Sequence, residues 1–346
     1  RVLFRSAHKR EIIFTSGATE SNNLAILGLV QNFHKPHIVT TNIEHASVLE
    51  VFRYLKKTGL AIVDIVPVES DGRVDPNKIK KVLTKNTVLV SVLYDKKEKR
   101  TNQPISTLET EIRHFNKTKR KNLPADRRVY FHTDATQAIN YLPINVGKLG
   151  VDLLSFNSAK IYGPKGVGVL YVRSGTPVSS IMHGGDQEGG LRPGTENVSL
   201  AVSLSRALVQ AEKIKEKESL RLSKLRDYFF KKLDTMSRGI LDMGVWINGD
   251  RVNRLPNNVN ITIPNIPSDL LLIELSTKGI MASAKSACKS GDGKASHVIQ
   301  AINKDIKDTD GFLRFSLGRE TTKAEIDTTI KTLTLILKKL KKWYAR

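Results

Sequence analysis

Short apolar runs alternate with amphipathic stretches along most of the chain. "EIIF", "HIVTT", "AIVDIVPV", "TVLVSVL", "RVYFHTD", "VDLLSF" and "VGVLYV" read as strands. Between the first of these, "ESNNLAILGLVQNF" and "HASVLEVFRYLKKTG" read as helices. Strands apolar at nearly every position and interleaved with helices predict a mostly parallel sheet covered on both faces. That is an α/β architecture over about residues 11 to 200. A long charged helix follows in "SLSRALVQAEKIKEKESLRLSKLRDYFFKKLDTM", with apolar positions at helical spacing that pack along one face. Beyond it, "NVNITIP", "LLLIELSTKG" and "GFLRFSL" predict an α+β unit, closed by the amphipathic helix "KAEIDTTIKTLTLILKKL". The expected division is a larger unit at 1–210 and a smaller one at 211–346, with no internal repeat and no low-complexity linker.

Composition narrows the classes. With 346 residues and a hydrophobic fraction of 40%, the chain has material for two cores. It contains no run of about 18 apolar residues to span a membrane, and no apolar leader opens it, so the expected compartment is the cytoplasm. It starts "RVLFRSAHKREIIF", without Met and already entering a strand, so a preceding segment is expected to be missing. Cys288 is the one cysteine, which rules out an internal disulfide and a cysteine-based zinc cluster. The formal charge of +22 suits nucleic acid, an acidic partner or simply a lysine-rich composition. The lysines are spread along the chain and aromatics reach only 6%, which argues against a single-strand stacking platform. Nucleic-acid binding is therefore not the expected main role.

Several stretches carry candidate chemistry. "FTSGATESNN" joins a strand to a helix through glycine, and a helix start offers unpaired N–H groups to an anion. The alternative is an ordinary capped turn. "VYFHTDATQAI" puts Asp134 at the carboxyl end of a strand, where open α/β sheets bind ligands. Asp134 and Gln137 also fit an N-cap with a capping box, and the two readings are compatible. Lys160 ends another apolar strand; it is either an ordinary solvated lysine or a buried one, whose charge desolvation would strip and which would then be nucleophilic. An anion-binding helix start, an acid and a lysine at strand ends are the parts of a pyridoxal phosphate site. They supply a phosphate anchor, a partner for the ring nitrogen and an amine for the Schiff base. Cys288, between Lys285 and Lys289 in a small polar loop, reads as a reactive thiol more than a core residue. Arg314 interrupts an apolar strand, pointing either to solvent or to a carboxylate.

Taken together, "FTSGATESNNLAI", "TTNIEHASVL", "FHTDATQAI", "SFNSAKIYGPKGVGVLYV", "MHGGDQEGGLRPGTENV", "LPNNVNIT", "SACKSG" and "LRFSLGRETTKAEID" resemble the cysteine desulfurases, in order and over nearly the whole chain. The family's opening "LDNNATT"-like segment has no counterpart here. The resemblance implies the fold type I architecture of pyridoxal-phosphate-dependent transferases. It also implies L-cysteine as substrate and a homodimer with composite sites. Lys160 resembles the Schiff-base lysine. Asp134 would pair with the pyridine nitrogen, and Gln137 would hydrogen-bond the ring's phenolic oxygen. His45 would stack on the ring and move protons; the alternative is an exposed histidine in a first helical turn. The Ala18 backbone and Thr19 would hold the phosphate, with Asn157 near it. Thr195 would reach the phosphate of the neighbouring subunit. Arg314 would hold the substrate carboxylate. Cys288, in a loop of the "SAC" subgroup, would accept sulfur as a persulfide. Acceptor or scaffold proteins for iron–sulfur clusters or thiolated RNA would then receive it.

The chain departs from that pattern in three places. "VLYDKKEKRTNQPI" stands where the family has a "VMYANNEIGTVQPI"-like turn, so Lys97 replaces an asparagine near the ring and substrate carboxylate. A lysine there either opposes the protonated ring and competes for the aldehyde, or pairs with the substrate carboxylate. Ala159 stands for a histidine and Asn157 for a serine beside the phosphate, which predicts weaker cofactor binding. Gly189 replaces an arginine. Three other readings remain open at this level: a selenocysteine lyase, a cofactor-impaired homologue that binds sulfur-transfer partners, and a basic nucleic-acid binder whose affinity collapses with salt.

Overall fold

The computed structural model describes residues 7–95, 103–120, 128–240, 244–284, 301, 307 and 309–344. The chain divides into two compact units. One comprises Arg1–Glu69, Arg73–Lys96 and Asn102–Lys215; the other comprises Ser70–Gly72, Lys97–Thr101 and Glu216–Arg346.

The first unit is built on seven strands: β1 (Ile12–Thr15), β2 (His37–Thr41), β3 (Ile62–Val66), β4 (Thr87–Ser91), β5 (Tyr130–Asp134), β6 (Leu153–Asn157) and β7 (Gly168–Val172). Their order across the sheet is β1-β7-β6-β5-β4-β2-β3. β7 runs antiparallel to both β1 and β6, and the remaining pairs are parallel. β1 therefore points the same way as β6, and β1, β2, β4, β5 and β6 end at one edge. β2, β4, β5 and β7 are buried at every position, because both faces of the sheet are covered.

Helices α1 (Ala18–Val30), α2 (Ala46–Lys57), α3 (Pro76–Val82), α4 (Ile105–Lys119) and α5 (Val146–Leu149) connect the strands. α1 and α2 bury Leu24, Ile26, Leu29, Val48 and Phe52 in one cluster with Ile38, Leu89, Tyr130, Leu153 and Leu170 of the sheet. Each such fully buried side chain contributes about 1.5–3 kcal/mol of transfer free energy, so the sheet holds the helix starts that follow its strands. Away from the site edge, buried Asp152 accepts from Phe131 N at 2.9 Å and pairs with Arg128 at 2.6 Å and Arg173 at 3.3 Å. This locks the start of β6 to β5 and to the end of β7.

The second unit holds a three-stranded antiparallel sheet in the order β10-β9-β8. Its strands are β8 (Trp246–Ile247), β9 (Asn258–Ile263) and β10 (Gly311–Ser316), accompanied by α7 (Ser268–Ser276) and α8 (Lys323–Tyr344). The long α6 (Val198–Ile240) begins in the first unit and ends in the second. Its Arg221 donates to Gly318 O, Arg319 O and Thr321 O, fixing the turn ahead of α8. Among the described residues no helix is long and apolar enough to cross a membrane.

Candidate active site

Predicted residues from four segments follow or end strands that point to the same edge. Gly17 to Thr19 follow β1, His45 follows β2, Asp134 ends β5 and Lys160 follows β6. This is the carboxyl edge, where open α/β sheets place their ligands.

The turn after β1 depends on a close backbone approach. A Cβ on Gly168 would lie 2.6 Å from Gly17 Cα and C and 2.9 Å from Phe156 O, so only glycine at 168 lets that turn seat against β7. In the strand register Gly168 faces Thr15 on one side and Asn157 on the other. The start of α1 and the Lys160 segment are thus separated by the width of β7. Ser21 N takes Gly17 O at 3.0 Å, so the amides of Ala18, Thr19 and Glu20 precede the first helical bond and have no helical acceptor. Ala18 is buried and Thr19 exposed. Glu20 braces the turn by accepting from Ser16 N at 2.8 Å and Arg192 Nε at 2.9 Å. Burial would raise its carboxyl, but those hydrogen bonds and the Arg192 charge outweigh it and hold the pKa below the usual carboxylate value.

Asp134 is buried and accepts from Thr136 N and from Asn22 Nδ2, both at 2.9 Å. The bond to Thr136 N is the one an N-cap makes, and the capping box is left unclosed. Asp134 closes a local turn two residues ahead, and Gln137, half-buried, lies in that turn without bonding back. Behind Asp134, His132 is fully enclosed, with Nδ1 2.8 Å from Ser91 Oγ and Nε2 3.0 Å from Ser155 Oγ. Burial pushes its pKa down to about 4, against the opposing pull of the Asp134 charge.

His45 caps α2. Its Nδ1 accepts from Ser47 N at 3.1 Å and lies 2.7 Å from Ser47 Oγ, while the residue itself is exposed. The preceding Glu44 is clamped by Thr41 Oγ1 at 2.6 Å and Leu93 N at 3.1 Å, which fixes the approach to the cap. Ser47 Oγ in turn accepts from Asn22 Nδ2 at 2.8 Å. Asn22, Ser47 and His132 were not singled out from the sequence. Nothing in their spacing marks them, since the partners are far apart along the chain.

Lys160 stands on a 3-10 turn, Ser158–Ile161, whose first bond is Lys160 N to Asn157 Oδ1 at 3.2 Å. Tyr162 closes the turn at φ 62°. Lys160 is exposed, so of the two readings the solvated one holds and the buried one does not. Asn157 is half-buried and uses its carbonyl oxygen as a cap, and Ala159 is exposed.

Thr195 is exposed and lines a cavity of about 1080 Å³ that also reaches Ser16, Gly166 and Arg192. Beside it, Glu188, Gly189 and Gly190 all take positive φ, 51°, 66° and 79°. Glycine at 189 keeps that left-handed run open at little cost, which gives a reason for the departure there. In the second unit Arg314 is buried at 4% exposure in β10, which excludes the solvent-facing reading. Its backbone bridges Ser283 in both directions, at 3.0 and 2.7 Å, where the chain enters the segment that carries Cys288. Cys288 and Lys97 themselves lie outside the described residues.

These side chains fit pyridoxal phosphate. A glycine turn with nothing within 4 Å of its missing side chain and three free amides suits a phosphate. A buried carboxylate suits a protonated ring nitrogen, and an exposed lysine on the same edge suits an aldehyde.

The chain matches the class-V aminotransferase family over residues 1–329. It is 41% identical over 337 residues to "Cysteine desulfurase IscS" of Dictyoglomus turgidum, covering 97% of this chain and 81% of that protein. Among solved structures, a "NIFS-like protein" superposes with a TM-score of 0.85 at 34% identity, over 97% of this chain and 84% of the other. "SspA in complex with cysteine" superposes at 0.73 with 29% identity, over 91% and 83%.

Proposed function

We propose a reaction for this chain from one premise: it belongs to the class-V aminotransferase family, and within it to the cysteine desulfurases, whose cofactor is pyridoxal phosphate. The chain converts L-cysteine to L-alanine and passes the sulfur on as a persulfide. The observation that carries this reading is the gathering of the α1 start, His45, Asp134 and Lys160 on one sheet edge, in a chain so similar to "Cysteine desulfurase IscS".

When bound, the cofactor supplies an electron sink for negative charge at the substrate α-carbon. The residues that would hold it are Ala18 and Thr19 at the phosphate, Asp134 at the ring nitrogen, Gln137 at the phenolic oxygen and Lys160 at the aldehyde, with Asn157 bracing the lysine turn. Lys160, standing free on its 3-10 turn, moves the proton at the substrate α-carbon. His45 supplies a second proton-carrying group at the same edge. Arg314 holds the substrate carboxylate through a bidentate guanidinium, with Lys97 as its second cation. The Cys288 thiolate attacks the substrate sulfur, so an S–S bond forms as the C–S bond breaks. A proton takes sulfur's place on carbon, and alanine leaves. The persulfide then goes to an acceptor or scaffold protein for iron–sulfur clusters or thiolated RNA. Thr195 serves a second copy of the chain in a homodimer, and the whole acts in the cytoplasm.

The test is direct. The full chain with added pyridoxal phosphate and L-cysteine is expected to yield alanine and transferable sulfur in equal amounts. Lys160→Ala is expected to lose the visible band of the lysine-bound cofactor and both products, and Cys288→Ser to lose sulfur transfer. A chain that binds the cofactor and makes no alanine from cysteine would overturn the reading.

A further inference from the structure

We infer that Asn22 and Ser47 are positioning residues that wire the Asp134 carboxylate to His45 and decide which ring nitrogen of His45 carries the proton. The catalytic consequence rests on the desulfurase reading above; the tautomer does not.

An ionised carboxylate only accepts hydrogen bonds. Asn22 lies 2.9 Å from Asp134 Oδ2, so it must present Nδ2 and not Oδ1, which would repel it. The amide has two protons. The second goes to Ser47 Oγ at 2.8 Å. That bond occupies a lone pair of the hydroxyl and leaves its proton for His45 Nδ1, 2.7 Å away. Ser47 N also donates to Nδ1, at 3.1 Å. Two donors meet one ring nitrogen, so Nδ1 is the acceptor and the proton of the neutral ring sits on Nε2. Asn22 is fully buried and Ser47 is 9% exposed, so the two bonds that Asn22 donates are shielded from water. Asn22 Oδ1 is buried without a partner among the described residues, as expected if Asp134 alone dictates how the amide faces.

The wiring has a direction. Asn22 gives protons to both neighbours and Ser47 passes the polarity on. His45 therefore enters the reaction as a donor through Nε2, and the base at the substrate α-carbon is left to Lys160. The three elements involved, α1, α2 and the end of β5, come together only through the order of the sheet.

The experiment uses the full chain labelled with ¹⁵N-histidine, without and with pyridoxal phosphate, at about pH 8, where an ordinary histidine is neutral. Long-range ¹H–¹⁵N correlations report the tautomer, and His45→Gln assigns the signal. The expected result for the unsubstituted chain is the Nε2–H form. Asn22→Asp replaces the donor with a carboxylate that takes the Ser47 hydroxyl proton, so Ser47 Oγ turns a lone pair to Nδ1. The tautomer ratio should then move toward Nδ1–H by about tenfold, the effect of one hydrogen bond. Adding Ser47→Ala should abolish that movement, and Ser47→Thr, which keeps a hydroxyl, should preserve it. An Nδ1–H ring in the unsubstituted chain overturns the inference whatever the variants do. So does an unmoved ratio in a folded Asn22→Asp chain, or the same movement with Ser47→Ala present. Alanine production separates the two readings. The expected tautomer without alanine keeps the wiring and removes the desulfurase reading, and alanine with an Nδ1–H ring removes the wiring alone.

Discussion

His132 makes the first unit sensitive to acid. Its ring is fully buried between Ser91 and Ser155, and its pKa falls from 6.5 to about 4. The folded chain therefore keeps His132 neutral in a range where the unfolded chain protonates it. The unfolded state binds more protons, so stability is complete above pH 6.5, declines as pH falls, and levels off below about 4. At about 1.4 kcal/mol per pKa unit, the full loss is about 3 kcal/mol, most of it reached by pH 4.5. His132→Gln, which does not titrate, should flatten the profile by that amount. His37 acts with the same sign, since burial lowers its pKa against the pull of Asp64. The informative quantity is therefore the difference between parent and variant. Both tryptophans, Trp246 and Trp343, belong to the second unit, so tryptophan fluorescence does not follow this event. Hydrogen-exchange protection of the β5 amides, compared at pH 7 and pH 4.5 in the cofactor-free chain, does. Parallel losses of protection in parent and variant would refute the reasoning.

Three further outcomes follow from the geometry. Gly168→Ala drives a Cβ to within 2.6 Å of the Gly17 backbone, which cannot yield as a side chain would. It should cost about 1–3 kcal/mol of stability in a urea melt and weaken cofactor affinity. Ala159→His adds a donor beside the proposed phosphate seat, and a bond to a charged group is worth about 1.5–3 kcal/mol. The cofactor dissociation constant, read by spectroscopic titration, should tighten at least tenfold. Asp152→Asn uncouples Arg128 and Arg173 from a buried carboxylate while keeping its size. With both arginines about a third exposed, the expected loss is about 1–2 kcal/mol and a lower melting temperature.

The strands were legible because the sheet is covered on both faces. Burial at every position of β2, β4, β5 and β7 writes an unbroken apolar run that no solvent-facing alternation interrupts. The long charged helix and the closing helix were legible for the opposite reason, since each keeps a polar face. α3 and α4 went unread. α3 is a single short, lysine-rich stretch, and α4 buries only Ile105, Leu108 and Ile112 amid charged and polar residues.

At the proposed site, the residue types and their order were visible in the chain, because a phosphate, a ring nitrogen and an aldehyde would each demand a particular chemistry at a strand end. Their surroundings were not. A local pattern suggested a capping box for Asp134, and the fold spends that carboxylate on Thr136 and on Asn22, 112 positions away. A strand-end lysine left burial and solvation both open, and on a 3-10 turn capped by Asn157 Lys160 is exposed. Short-range pattern records what each residue can do with its neighbours in sequence. Which donors meet Asp134, which nitrogen of His45 is occupied and how far Lys160 stands from the sheet depend on strand order and register, and only the tertiary structure decides those.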